Sequence, residues 1–265
     1  MSLSEFKTIF WWEFIHRLWG RLIGVAFGVP LIWFLWRGDI PPRLRPQLIA
    51  LFLLGAVQGG VGWWMVKSGF VDRHDVSQYR LTAHLSIAFL ILGSLLWLVA
   101  DLVAGVNSGR RTPDWLRHSL SATLIGVFVT VMSGGLVAGL GAGFDYNTWP
   151  LIAGAWMPSG VFDAVPIWSA AFEDILTVQF DHRMLAYATV AGVLCVSGFG
   201  YRRAQSRWQK LILLLFAGMA LMQIALGIAT LLSVVAIPIA VMHQVGAISL
   251  FSSAILARQA FSRDG

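Results

Sequence analysis

The sequence predicts an all-α membrane protein, a polytopic helix bundle of seven spans arranged as two pseudo-repeated bundles. Three observations carry that expectation. Composition is the first: 57% of the residues are hydrophobic, 12% are charged, and the mean hydropathy is +0.73. The second is that seven apolar stretches are near the roughly 20 residues a helix needs to cross the hydrocarbon core. The third is repetition. Trp12-Glu13-Phe14-Ile15-His16-Arg17 aligns with Val178-Gln179-Phe180-Asp181-His182-Arg183, and each segment opens a long apolar run.

Residues 1–12 mix Phe6, Ile9, Phe10, Trp11 and Trp12 with polar positions and read as a half-turned interfacial segment. They have no basic start, apolar run and small-residue site, so they are not a signal peptide. The spans then run about 14–36, 47–66, 81–103, 117–140, 180–200, 211–233 and 236–257. Pro41, Pro42 and Pro46 break the chain between the first two. Arg202, Arg203, Arg207 and Lys210 mark the turn between the fifth and sixth. Gly20, Gly24 and Gly28 form a small-residue face on the first span, suited to close helix approach. The 39-residue connection 141–179 carries Trp149, Trp156 and Trp168 but no Lys or Arg, and reads as a lid across the outer face. The single cysteine, Cys195, excludes an intrachain disulfide and reads as a buried packing thiol. Thirteen tryptophans suit interfacial belts.

Positive charge orients the chain. Twelve basic residues (Arg37, Arg43, Arg45, Arg110, Arg111, Arg117, Arg202, Arg203, Arg207, Lys210, Arg258, Arg263) fall on one side, and four (Lys7, Lys67, Arg73, Arg80) on the other. The richer side is cytoplasmic by the positive-inside rule. The expected location is the inner (plasma) membrane of a bacterium, with the N-terminus and the 141–179 segment on the periplasmic side. The net charge of +6 belongs to this topology, because no basic stripe with interleaved aromatics marks a nucleic-acid partner.

His16, His84, His182 and His243 each lie near the start of a span, and all four of those spans start on the outer side. At 1.5 Å per residue they share a level about 5–10 Å inside the boundary. They fall into two pairs, 68 residues apart (His16, His84) and 61 apart (His182, His243). Gln58 and Gly62 align with Gln223 and Gly227 in the same register. Both halves run the same way, so they are parallel repeats. Residues 1–105 form the N-terminal half and 106–265 the C-terminal half.

Ionisable groups at membrane depth are costly and are read as functional. Paired histidines at one depth on neighbouring helices suit the two axial imidazoles of a haem iron. Arg17 and Arg183 are placed to pair with anionic propionates. Zinc fits less well, since neither a cysteine nor a carboxylate cluster completes a tetrahedral set. His74 and His118 lie outside the pattern and read as solvated. The halves differ at one informative position, where Glu13 stands opposite Gln179. A carboxylate moves protons and an amide does not, so reaction chemistry belongs to the first half. A di-haem b-type cytochrome that only transfers electrons explains the histidines equally well but not this difference. A transporter would show helices broken near mid-membrane.

The stretch Phe10-Trp11-Trp12-Glu13-Phe14-Ile15-His16-Arg17-Leu18-Trp19-Gly20-Arg21 resembles the signature of the haem A synthase family in its alphaproteobacterial and mitochondrial form. Gln179-Phe180-Asp181-His182-Arg183 and Ser133-Gly134-Gly135-Leu136-Val137-Ala138-Gly139 with Asp145-Tyr146-Asn147-Thr148-Trp149-Pro150 fit as well, and the likeness covers nearly the whole chain. The resemblance implies eight transmembrane helices in two four-helix halves and oxidation of a haem O methyl group to the formyl group of haem A. It implies that His16 and His84 hold the haem O substrate, that His182 and His243 hold a haem b cofactor, and that Glu13 is the acid required beside the substrate. The candidate protein partners are haem O synthase and an electron-transfer protein, and a homo-oligomer is compatible with the sequence. The family's first helix has no counterpart here, and neither does its bacillus-type outer-loop cysteine pair.

Overall fold

The structure, a computed structural model, describes residues 3–67, 76–103, 112–163 and 166–261. Among them are eight helices: α1 (Leu3–Arg37), α2 (Arg45–Lys67), α3 (Gln78–Val103), α4 (Asp114–Gly139), α5 (Ile167–Glu173), α6 (Ile175–Arg203), α7 (Arg207–Leu232) and α8 (Ile237–Ala260). All except the short α5 are long and apolar enough to span a membrane, which gives the seven expected spans. The only β pairing among the described residues is the isolated bridge between Ile152 and Ala155.

The chain divides into two compact units, Met1–Trp64 and Met65–Gly265. In the first, α1 is unbroken from Leu3, so residues 3–12 continue the helix rather than forming the separate interfacial segment expected for 1–12. Nothing in this stretch breaks a helix, and Phe6, Phe10 and Phe14 stack one turn apart with centroids 6.3 Å from one another. Of the three glycines expected to bring a partner close, Gly28 alone does so: a Cβ there would stand 2.7 Å from the Phe52 ring, whereas Gly20 and Gly24 meet open space. α1 ends in a Schellman motif. Gly38 takes φ +74°, its amide donates to the Leu35 carbonyl, and the Asp39 amide reaches back to Phe34.

In the second unit α4 packs on α3, α6 and α8, and α7 packs on α6 and α8. Small residues set these approaches. A Cβ at Gly135 would lie 2.8 Å from the Thr82 hydroxyl, and one at Gly139 would lie 2.5 Å from the Gln78 Cα. The first turns of α3 therefore lie directly on the α4 backbone, as small-xxx-small packing permits. Toward α6, the Thr130 and Thr189 hydroxyls are 2.9 Å apart, and Gly126 faces Thr189.

The largest contiguous hydrophobic cluster lies toward one end of the unit, while Ile152 and Val178 are buried separately at the other. The cluster comprises Leu116, Leu120 and Val127 of α4, Val193 and Val196 of α6, Ile212, Leu213 and Phe216 of α7, and Leu250, Phe251 and Ala254 of α8. This is the end that carries Arg117, Arg202, Arg203, Arg207 and Arg258. There Arg258 donates to the Ser121 hydroxyl at 2.7 Å and lies 5.9 Å from the Trp97 ring centroid, which joins α8, α4 and α3. The histidine end is packed with smaller and more polar groups. Cys195 is exposed on α6 and faces away from the core, contrary to the expectation of a buried thiol. His118 is exposed as expected, and His74 lies outside the described residues.

Two Schellman turns close helices of this unit. At the end of α4 the turn uses Gly141 at φ +65°. At the end of α7 the same bonds form with Val234 at φ +53°, followed by Val235 at φ +58°. A β-branched residue pays in steric energy for this left-handed region. Val234→Gly should therefore stabilise the fold by about 1 kcal/mol, the relief being partly offset by glycine's greater freedom when unfolded. A thermal melt in detergent should show a rise of roughly 2–4 °C, and a midpoint that falls would show that the valine is not strained.

Candidate functional site

The outer end of α6 is built first by its cap. The Asp174 carboxylate accepts from the Thr177 amide and hydroxyl, both at 2.7 Å, and the Phe162 amide donates to the same hydroxyl at 3.1 Å. Two turns on, Gln179 and Arg183 are both buried, at 2% and 7% exposure. Gln179 Nε2 donates to the Ala142 carbonyl at 2.7 Å, and its Oε1 accepts from Arg183 at 2.9 Å. The guanidinium also donates to the carbonyls of Tyr146 and Thr148, each at 2.9 Å. The loop after α4 is thus held on α6 by one side-chain pair. The Trp149 indole adds a bond to the Tyr187 hydroxyl at 3.0 Å, and Phe162 packs edge-on against Phe180 at 6.2 Å. Tyr79 of α3 donates to Glu173 of α5 at 2.8 Å, which extends this cover to α3.

His182 projects from α6 toward α4, where Gly134 makes room: a Cβ there would stand 3.2 Å from His182 Cε1. His243 projects from α8 toward α7 and meets Gly227 in the same way, at 3.0 Å to Cε1. In both cases the carbonyl four residues before the glycine, that of Thr130 or of Gln223, lies alongside the ring. The two imidazoles are close enough to interact electrostatically. Gln223 also crosses to α8: its Nε2 donates to the His243 carbonyl at 3.0 Å, and its Oε1 lies where any side chain at Gly246 would collide.

These residues suit a flat, bis-imidazole-bound group. Each ring is supported by a glycine, and two buried nitrogens, His243 Nδ1 and Arg183 Nε, have no hydrogen-bond partner. The nitrogen on Arg183 is the donor left over for an anion, since the rest of that guanidinium is committed to the loop.

The first unit carries the charged version of the same helical pair. Glu13 and Arg17 form an i,i+4 ion pair at 2.6 Å, with both side chains about half exposed (52% and 50%). Glu13 lies well inside α1, three turns from its start, so it is not a first-turn residue balancing the helix dipole. His16 is exposed on α1, and His84 is half-buried on α3 in the other unit. The structure therefore brings together Glu13 with Arg17, Gln179 with Arg183, and His182 with His243. Two contributors, Ser133 and Tyr187, carry no ligand-like signal in sequence. A hydroxyl beside a glycine pair in an otherwise apolar helix was the available clue to Ser133.

Replacing Arg183 with Lys removes the fork that reaches several acceptors at once. Bonds of this charged type are worth about 1.5–3 kcal/mol each. Arg183→Lys should therefore speed hydrogen exchange at the Ile152 and Ala155 amides on the order of 100-fold. Unchanged protection would mean that the loop is held by other contacts.

The profile of the COX15-CtaA family, described as cytochrome oxidase assembly protein, matches residues 1–255. A protein of Paramagnetospirillum magneticum named "Heme A synthase" is 49% identical over 257 residues, covering 95% of this chain and 72% of that protein. Proteins of the same name from Parvibaculum lavamentivorans (46%, covering 96% and 72%) and Bradyrhizobium diazoefficiens (45%, covering 97% and 71%) are similarly alike. No solved structure matches the chain. With a family profile spanning almost all of it and relatives near half identity, this chain belongs to the haem A synthase (COX15-CtaA) family.

Proposed function

We propose that this chain is a haem A synthase, a membrane oxidoreductase that converts the methyl group of haem O to the formyl group of haem A. One observation carries the division of labour between its halves: the ion pair Glu13–Arg17 and the neutral pair Gln179–Arg183 occupy the same i,i+4 register beside a histidine. The neutral pair suits a half that only holds a cofactor, and the acid suits a half that must move protons.

In this reading residues 1–105 supply the substrate site and residues 106–265 the cofactor site. His16 and His84 hold haem O, and their pairing rests on the repeat with His182 and His243. His182 and His243 would hold haem b, and the chemistry such a group would supply there is electron transfer. Arg17 and Arg183 face the propionates, Arg183 through its remaining Nε–H. Haem O enters sideways from the bilayer, with its isoprenoid tail in lipid and its ring fixed so that the target methyl lies near Glu13. Two successive two-electron oxidations of that methyl, each taking an oxygen from water and releasing two protons and two electrons, would give the alcohol and then the hydrate, which loses water to the aldehyde; the electrons would leave to the electron-transfer partner. Glu13 takes up protons or stabilises positive charge at that carbon, and Arg17 holds its carboxylate in place. The sites face the periplasmic side of a bacterial inner membrane, as the twelve-to-four distribution of basic residues supports. Haem O synthase and an electron-transfer protein are the expected partners.

Glu13→Gln tests the reading in cells that make haem O. Haem extraction and chromatography should show haem A production reduced on the order of 10²–10⁴-fold, the usual weight of a positioned acid or base, with haem O and haem b still bound. Undiminished haem A would remove Glu13 from the reaction. His182→Ala and His243→Ala should each abolish the haem b spectrum. Haem b retained by both would refute the assignment of the cofactor site.

A further inference from the structure

Ser133 lies on α4 immediately before Gly134, is 8% exposed, and takes no part in the function proposed above. Its Oγ is 2.8 Å from His182 Nδ1 and 2.8 Å from the carbonyl of Thr130. A hydroxyl has one proton to give. The carbonyl can only accept, so the Ser133 proton goes to Thr130 and the Oγ lone pair is left for the imidazole. With its own proton on Thr130, the Ser133 hydroxyl can only accept from His182, which calls for a proton on Nδ1.

We infer that Ser133 is a positioning residue for His182: it fixes the tautomer with the proton on Nδ1 and leaves Nε2 as the lone pair that binds the haem b iron. The inference rests on the cofactor site proposed above. A hydrogen bond from the distal ring nitrogen of a metal-bound histidine makes the ligand a better donor and fixes its rotation. It also selects which nitrogen faces the metal.

The second imidazole gives a contrast. The glycine that supports His243 follows Leu226 on α7, which has no hydroxyl. His243 Nδ1 is buried with no hydrogen-bond partner. The two imidazoles of this site are therefore unequal: His182 is the oriented, electron-rich ligand, and His243 is held by Gly227 packing and by the carbonyl alongside. An electron-rich ligand favours ferric over ferrous iron, and hydrogen bonding around the ligands is one of the means by which a protein sets haem potential.

The test uses the full chain, purified with haem b bound, and reads the midpoint potential by spectroscopic titration and the low-field g value of the ferric haem by electron paramagnetic resonance. Ser133→Ala should shift the potential upward and move the g value, as the ring is released from its fixed rotation. Ser133→Thr, which keeps the hydroxyl, should restore both. Should Ser133→Ala lose haem outright, recovery of haem by Ser133→Thr supports the inference. Wild-type potential and g value in Ser133→Ala would overturn it, as would an equal effect of both variants. His182→Ala is the control for the underlying reading. If that variant keeps an unaltered haem b spectrum, His182 is not a ligand and the cofactor site itself falls, whatever Ser133 does.

Discussion

The outer end of the second unit depends on the approach of an imidazole to the backbone of a neighbouring helix. His182 on Gly134 and His243 on Gly227 are the same contact made twice, with Cε1 little more than 3 Å from where a Cβ would be. A histidine at membrane depth must be given room, orientation and a partner for its ring proton. Glycine supplies the room. The exposed carbonyl edge of the same helix, one turn earlier, supplies the polar neighbour. The support for His182 lies on α4 and that for His243 on α7, so each ring is fixed by the packing of its own helix pair. The threonine and small-residue seam between α4 and α6 continues directly from the His182 contact and holds its register.

The Gln179–Arg183 pair depends on the same geometry and spends it differently. An arginine buried at 7% exposure needs acceptors, and three of its four are supplied by Gln179, Tyr146 and Thr148 at normal hydrogen-bond distances. The loop after α4 is folded by the arginine as much as it covers it. Gln179 suits this position because its amide both accepts from Arg183 and donates to Ala142. A carboxylate could do only the first. At the same register on α1 the Glu13–Arg17 pair has no such second duty, and Glu13 has remained ionisable and half exposed. The chemical difference between the two pairs matches this difference in structural burden.

The spans and their number were legible in the sequence because each rests on a strong local signal, an apolar stretch of membrane-crossing length. The Glu13-for-Gln179 exchange was legible because the repeat supplies its own alignment. What could not be read were properties of a neighbouring helix. Whether Gly20, Gly24 or Gly28 meets a partner depends on what lies opposite, and Phe52 lies opposite only Gly28. Cys195 was expected inside because apolar helices in a bundle have a core face, but hydropathy does not distinguish the core face from the lipid face when both are apolar. The role of Ser133 was hidden for the same reason, since its partner is 49 residues away on another helix.

The two ends of the second unit answer to opposite demands, and the division explains where strain is tolerated. At the basic end, side chains such as Leu116, Phe216 and Ala254 are fully enclosed, and contacts of this kind supply the stability of an interior packed to near-crystalline density. At the histidine end, space is kept by glycine, and polar atoms such as His243 Nδ1 and Arg183 Nε remain without partners. Val234 and Val235 hold left-handed backbone at this same end, in the turn that leads directly into the His243 helix. Val235 also presses on Gly143 in the loop that Arg183 ties down. The turn is therefore part of the cover through Val235, whereas Val234 is exposed. A bundle with its hydrophobic core gathered at one end carries left-handed valines at the other, in the turn that leads into the His243 helix.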